Sequence, residues 1–222
     1  YQRDEYGSQI LVRLARAPRF NAWMAETIRG YCGQRLLEIG SGVGNLTRKL
    51  VPRTQYVASD INPLYLDALA ALSIERPYLK ASYCDVTDVA SFPRLETGFD
   101  TVVCLNVIEH LESDRHALSN MRSVLAEGGT AVILVPHNQW NFGTLDVVLG
   151  HCRRYSKESL RQAAEDAGFV VKDIFQFNPI GTPAWFLNGK ILRRHTFGLF
   201  QIWMLDILTP LFRRIDWLLP FP

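Results

Sequence analysis

Four side chains that can do chemistry stand where four apolar runs stop: Glu38, Asp60, Asp85 and Asn106. The first lies in Glu38-Ile-Gly40-Ser-Gly42-Val-Gly44-Asn45, where glycine recurs at every second position. Glycines let a backbone turn sharply and come close to a ligand, and a helix that follows offers free N–H groups. Asn45 stands where a dinucleotide fingerprint asks for Gly or Ala, and a tight structural turn accounts for the glycines about as well as a ligand does. Asp60 lies sixteen residues past Gly44 and could accept both hydroxyls of a ribose. Its competing role is a helix cap, which Asn62 already supplies. Asp85, next to Val86, could accept from an adenine amino group or cap the turn beside Thr87 and Asp88. The fourth run ends in Asn106-Val-Ile-Glu109-His110-Leu.

The elements that must place these residues alternate. An amphipathic helix over 18–31 carries Phe20, Trp23, Met24 and Ile28 at helical spacing. Strands are expected at 35–40, 55–60, 78–86, 99–107, 130–135 and 169–177, with helices at 44–51, 63–72, 114–125 and 156–167 between them. Asn62-Pro63 marks one helix start, and Ser156 with Ser159 marks another. This alternation predicts an α/β fold with a doubly wound, mostly parallel sheet. In such a sheet ligands sit beyond the carboxyl ends of the strands, where the four side chains fall.

Composition bounds the rest. The chain has 222 residues, 48% hydrophobic and 21% charged, enough for a sizeable core and wrong for a disordered chain. A net charge of +2 argues against a general nucleic-acid binder. The four cysteines show no zinc-pair or redox spacing, so no metal site and four reduced thiols are expected. No leader opens the sequence as given, and no apolar run of about 18 residues predicts a transmembrane helix. A cytoplasmic protein, or one peripheral to a membrane, is expected.

The order of the glycine turn, strand-end Asp60, Asp85-Val86 and Asn106-Val-Ile-Glu-His-Leu resembles the class I S-adenosylmethionine-dependent methyltransferases, in particular the small-molecule branch with ubiquinone-biosynthesis-type enzymes. The likeness covers about 18–177. It implies a Rossmann-like fold with S-adenosylmethionine as cofactor. Gly40, Gly42 and Gly44 would then face the methionine part and Glu38 its amino group. Asp60 and Ile61 would meet the ribose, Asp85 and Val86 the adenine, and Asn106 with His110 the methionyl end. The family's fold ends with a seventh, antiparallel strand, for which no clear segment follows here. Gly150-His151-Cys-Arg153-Arg154-Tyr155-Ser156 is similar to a segment of bacterial methyltransferases of that group. Its two arginines read equally as a solvated helix entrance or a clamp for an anionic substrate.

Methyl transfer is an in-line displacement at an activated carbon, so position and desolvation come first, and a base is needed only for a hydroxyl or carbon-acid acceptor. Of the histidines, His151 is the first candidate base and His137 the second, each as readily structural as catalytic. A nucleotide-dependent oxidoreductase and a non-catalytic methyltransferase-fold module are the competing functions. Asn45 and the 106–110 segment argue against the former, and the intact glycine turn with Asp60 against the latter.

Residues 1–177 read as the cofactor-binding domain and 178–222 as a helical extension. That extension holds three of the five Trp and five of the twelve Phe. Over 198–215 its polar residues Gln201, Asp206, Thr209 and Arg213 form a narrow stripe, and the rest is nearly all apolar. With Arg193, Arg194 and Arg214 and the tryptophans 185, 203 and 217, this fits an interfacial helix on anionic lipid, a lid, or a homodimer contact. Each implies a small-molecule acceptor that is hydrophobic, or lipid- or glycan-linked.

Overall fold

The computed structural model describes residues 12–94, 98–196 and 198–218; the side chain of Trp217 lies outside the described residues. Five strands form one parallel sheet in the order β3-β2-β1-β4-β5. They are β1 Arg35–Ile39, β2 Gln55–Asp60, β3 Leu79–Tyr83, β4 Phe99–Leu105 and β5 Leu125–Leu134. Successive residues of β1 point to opposite faces. Leu37 therefore packs with Val102, Leu118 and Met121, while Leu36 packs with Ile28, Tyr56 and Leu69. Two cores result, one on each face, which is why β1, β2 and β4 are buried almost without interruption.

The helices are α1 Pro18–Arg29, α2 Thr47–Leu50, α3 Pro63–Ser73, α4 Asp114–Ser123, α5 Thr144–Leu149, α6 Lys157–Asp166, α7 Gly181–Phe186 and α8 Leu199–Leu218. Asn62 caps α3 by accepting from the Leu64 N–H, and Ser156 and Ser159 cap α6 reciprocally, as their spacing predicts. The helix expected over 44–51 shrinks to α2, because Gly44 stands at φ +79°, outside helical space. Helices α5 and α7, each six residues long, were not expected.

The expected strand at 169–177 is not formed. These residues run without ladder hydrogen bonds, and β5 pairs only with β4. Side chains hold the segment toward α1 instead. The Phe177 ring packs at a tilt against Trp23 and Phe20, with centroids 4.4 and 5.8 Å away, while Asp173 accepts from the Tyr31 hydroxyl at 2.9 Å. Among the described residues there is no seventh strand either. β5 begins five residues earlier than expected, since Leu125 already pairs with Phe99 before a register shift that ends where Thr130 pairs with Thr101.

Helix α8 lies on α1 with its polar stripe inward. The Asp206 carboxylate accepts from the N–H groups of Arg19 and Phe20, capping the N-terminus of α1, which has no cap of its own. Gln201 donates to Asn188, and Arg213 pairs with Glu26. Leu199, Phe200, Trp203, Met204, Ile207 and Leu211 therefore face outward.

Candidate active site at the strand ends

The parallel register lines up the strand ends. Ile39 pairs with both Ser59 and Cys104, Asp60 with Tyr83, and Leu105 with Leu134. The chain order reverses between β1 and β4, so the loops after these two strands border the crevice of the sheet. They meet closely. A Cβ on Gly40 would lie 2.4 Å from Val107 Cγ2, and Gly40 also takes φ +70°. Glycine is required there by both the close approach and the backbone conformation.

The cofactor candidates are placed as follows. Asp60 is buried; one carboxylate oxygen accepts from the Gly42 N–H at 2.9 Å and the other from the Asn62 N–H at 2.9 Å. It thus ties the glycine turn to the end of β2. Glu38 is buried lower, where Oε2 accepts from the Thr47 and Tyr56 hydroxyls at 2.5 and 2.7 Å. Burial raises its pKa, and those hydrogen bonds oppose the rise. Asp85 accepts from the backbone and hydroxyl of Thr87, and the Val86 carbonyl accepts from the Asn120 amide. Ile61 is exposed, and Asn106 stands at φ +54° with its side chain exposed.

A second group of residues was only partly visible in the sequence. Asp146, fully buried in α5, accepts from His151 Nδ1 at 2.8 Å, Arg154 Nε at 2.7 Å and Trp185 Nε1 at 3.2 Å. Burial works to raise its pKa, but the bonds from His151 and Arg154 prevail and hold it at about 2. An ionised carboxylate only accepts, so Nδ1 of His151 carries a proton, and in the ring's neutral form Nε2 presents a lone pair. That nitrogen points toward Glu109, 4.0 Å from Oε1, and the His110 ring stands edge-on to His151 with centroids 4.7 Å apart. Glu109 is wholly buried, and burial lifts its pKa to about 8. Burial is also the main cause that lowers His110 to about 4.

Both arginines of the 150–156 segment are engaged. Arg153 donates to the carbonyls of Leu111 and Glu112, while Arg154 is buried, bonded to Asp146 and stacked over Trp185. Arg154 is thus neither a solvated helix entrance nor an open clamp. His137 sits apart, its Nδ1 2.9 Å from the Gln176 amide, with its pKa lowered chiefly by burial. A cavity of about 1590 Å³ joins these groups; Asn106, His110, His137, His151 and Trp185 are among its lining residues, and it continues along the outer edge of β5. The glycine turn and α8 do not line it. Asp146 had one sequence signal, a lone acid within the apolar Thr144-Leu-Asp-Val-Val-Leu149. Buried there it must find partners.

A doubly wound parallel sheet with a glycine turn after β1 and an acid at the end of β2 defines a nucleotide-type cofactor binder. The methyltransferase-domain family model matches residues 2–174, and the chain belongs to that family. It is a methyltransferase domain of the class I, S-adenosylmethionine-dependent kind, and the oxidoreductase alternative is set aside. The chain is 30% identical over 156 residues to a nonribosomal peptide synthetase of Salinispora arenicola, covering 67% of this chain and 2% of that protein. It is 26% identical over 134 residues to the mitochondrial ubiquinone biosynthesis O-methyltransferase of Schizosaccharomyces pombe, covering 59% of this chain and 48% of the relative. It spans less than half the length of either relative. Its fold is similar to that of the trans-methyltransferase CalH, solved with S-adenosylhomocysteine (TM-score 0.51, 20% identity, 67% of this chain and 47% of that one).

Proposed function

We propose that this chain transfers the methyl group of S-adenosylmethionine to a hydrophobic or lipid-linked acceptor held in the cleft beside β4 and β5. Bound at the strand ends, the cofactor supplies an activated methyl carbon. Gly40, Gly42 and Gly44 give it room, Glu38 serves its amino group, Asp60 and Ile61 flank the ribose, Asp85 and Val86 the adenine, and Asn106 with His110 the methionyl end. The shared border at Asn106 and His110 would bring acceptor and methyl carbon together. His151 takes the acceptor proton on Nε2, with Asp146 fixing its tautomer; His137 is the second candidate. The observation that carries this reading is the Asp146–His151 pair at 2.8 Å beside an open, largely apolar cleft that His151 lines. The outward apolar face of α8 supports a lipid-linked acceptor reached from a membrane surface.

The test is transfer of labelled methyl to a panel of lipid-linked and water-soluble acceptors by the parent and by His151→Ala. The lipid-linked arm should be faster, and the variant should lose roughly two to four decades in rate while still binding S-adenosylhomocysteine. Full activity on a small polar acceptor, or an unimpaired variant, overturns the corresponding half of the proposal.

A further inference from the structure

The Glu109–His110–His151 group has the makings of more than a proton relay. Glu109 is fully buried, and among the described residues neither carboxylate oxygen has a hydrogen-bond partner. A buried acid left so is costly unless something fills the gap. One ligand atom from each of the three residues lies within 4.8 Å of the other two, and two of the residues, His110 and His151, line the cleft. Two imidazoles and one carboxylate are a donor set of catalytic zinc sites and of open first-row metal sites. The partner of His151 completes the pattern. A metal-binding imidazole usually donates its other ring N–H to a carboxylate, which fixes the ring and sharpens its basicity. Asp146 does this at 2.8 Å, and is itself fixed by Arg154 and Trp185.

We propose that Glu109, His110 and His151 form a site for one first-row divalent transition-metal ion, open to the cleft. Ligands on such an ion, with bonds of about 2.0–2.2 Å, stand roughly 3.0–3.5 Å apart. The 4.0 Å between His151 Nε2 and Glu109 Oε1 therefore closes by about 0.5–1 Å on binding, and any pair nearer the 4.8 Å bound closes by more. Borderline nitrogen donors select ions such as zinc, iron or nickel over magnesium. The open side faces the cavity, so the next ligand is water or an acceptor oxygen. This inference goes beyond the methyl-transfer reading: with an ion bound, Nε2 of His151 is a ligand and no longer a base. The donor set itself stands without any claim about the cofactor.

The test is titration of the full chain, after chelator treatment, with Co²⁺ alone, following its visible d–d absorption, with Mg²⁺ as competitor. Saturation at one Co²⁺ per chain, insensitive to Mg²⁺, is expected. Binding should be lost in Glu109→Gln and His110→Ala, and weakened about 10–100-fold in Asp146→Asn. His110 lines the wall of the open cleft and not the core, so its variant keeps the test alive if a buried substitution unfolds the chain. Near-ultraviolet circular dichroism and S-adenosylhomocysteine titration of each variant report the fold and the cofactor site separately. A parent that does not saturate, or variants that bind Co²⁺ like the parent, overturn the site whatever the acceptor assay shows.

Discussion

At the scale of single residues, the place of the strand-end side chains followed from residue type and position. Glycine at 40 and an acid at 60 are what the crossing of two loops demands, and Asp60 bonds both the Gly42 and the Asn62 N–H. Gly40 gives the sharpest prediction. Gly40→Ala adds a Cβ 2.4 Å from Val107 Cγ2 at φ +70°. The backbone conformation alone costs about 1–2 kcal/mol for a residue other than glycine. We expect a lower melting temperature and loss of S-adenosylhomocysteine binding by calorimetric titration. Adding Val107→Ala should return part of the stability, since it removes the clash but not the positive φ; a double variant no better than the single one would show that contact to be irrelevant. Asp146 was not singled out because its partners lie at 151, 154 and 185. Nothing in local spacing says that a six-residue helix carries a fully buried carboxylate. His151 was found by its place after the fifth strand, but the carboxylate that sets its tautomer was not.

At the scale of elements, the sequence read the five strands and the main helices because their patterns are long and their caps explicit. The failure at 169–177 has a physical cause. Its apolar residues satisfy strand periodicity, yet Phe177 finds a better-packed place against Trp23 and Phe20, and Asp173 a partner in Tyr31. Tertiary contacts of this kind override a period-two pattern. The tail helix was read correctly as a helix with a polar stripe, but which way the stripe faces depends on a partner far off in sequence. Asp206 settles it by capping α1. Asp206→Ala leaves the Arg19 and Phe20 N–H groups without that acceptor and should cost about 0.5–2 kcal/mol. Urea denaturation should show a lower midpoint with an unchanged slope. Asp206→Asn should retain much of the lost stability, because an amide oxygen still accepts. An alanine variant as stable as the parent would mean that solvent caps α1 equally well.

At the scale of the whole molecule, turning the polar stripe inward leaves α8 an apolar outer face. Phe200 is 68% exposed and Trp203 is 55%, with Leu199, Met204, Ile207 and Leu211 beside them on the same side. No described helix is long and apolar enough to cross a membrane, so any contact of this face with lipid is lateral. Exposed Arg193 and Arg194 precede the helix and Arg214 lies near its end, placing cations where anionic headgroups would meet them. Burying a Phe or Leu side chain is worth about 1.5–3 kcal/mol, so a few such residues suffice for reversible binding. The chain should co-sediment with phosphatidylglycerol vesicles and less with phosphatidylcholine vesicles, and added salt should weaken the former. Phe200→Ser with Trp203→Ser should abolish binding while leaving S-adenosylhomocysteine affinity unchanged, because neither side chain lines the cleft. Sedimentation equilibrium separates the competing outcome. If the chain is a dimer in the absence of vesicles and the same double variant makes it a monomer, the face belongs to a second copy, and the membrane route to the acceptor fails with it.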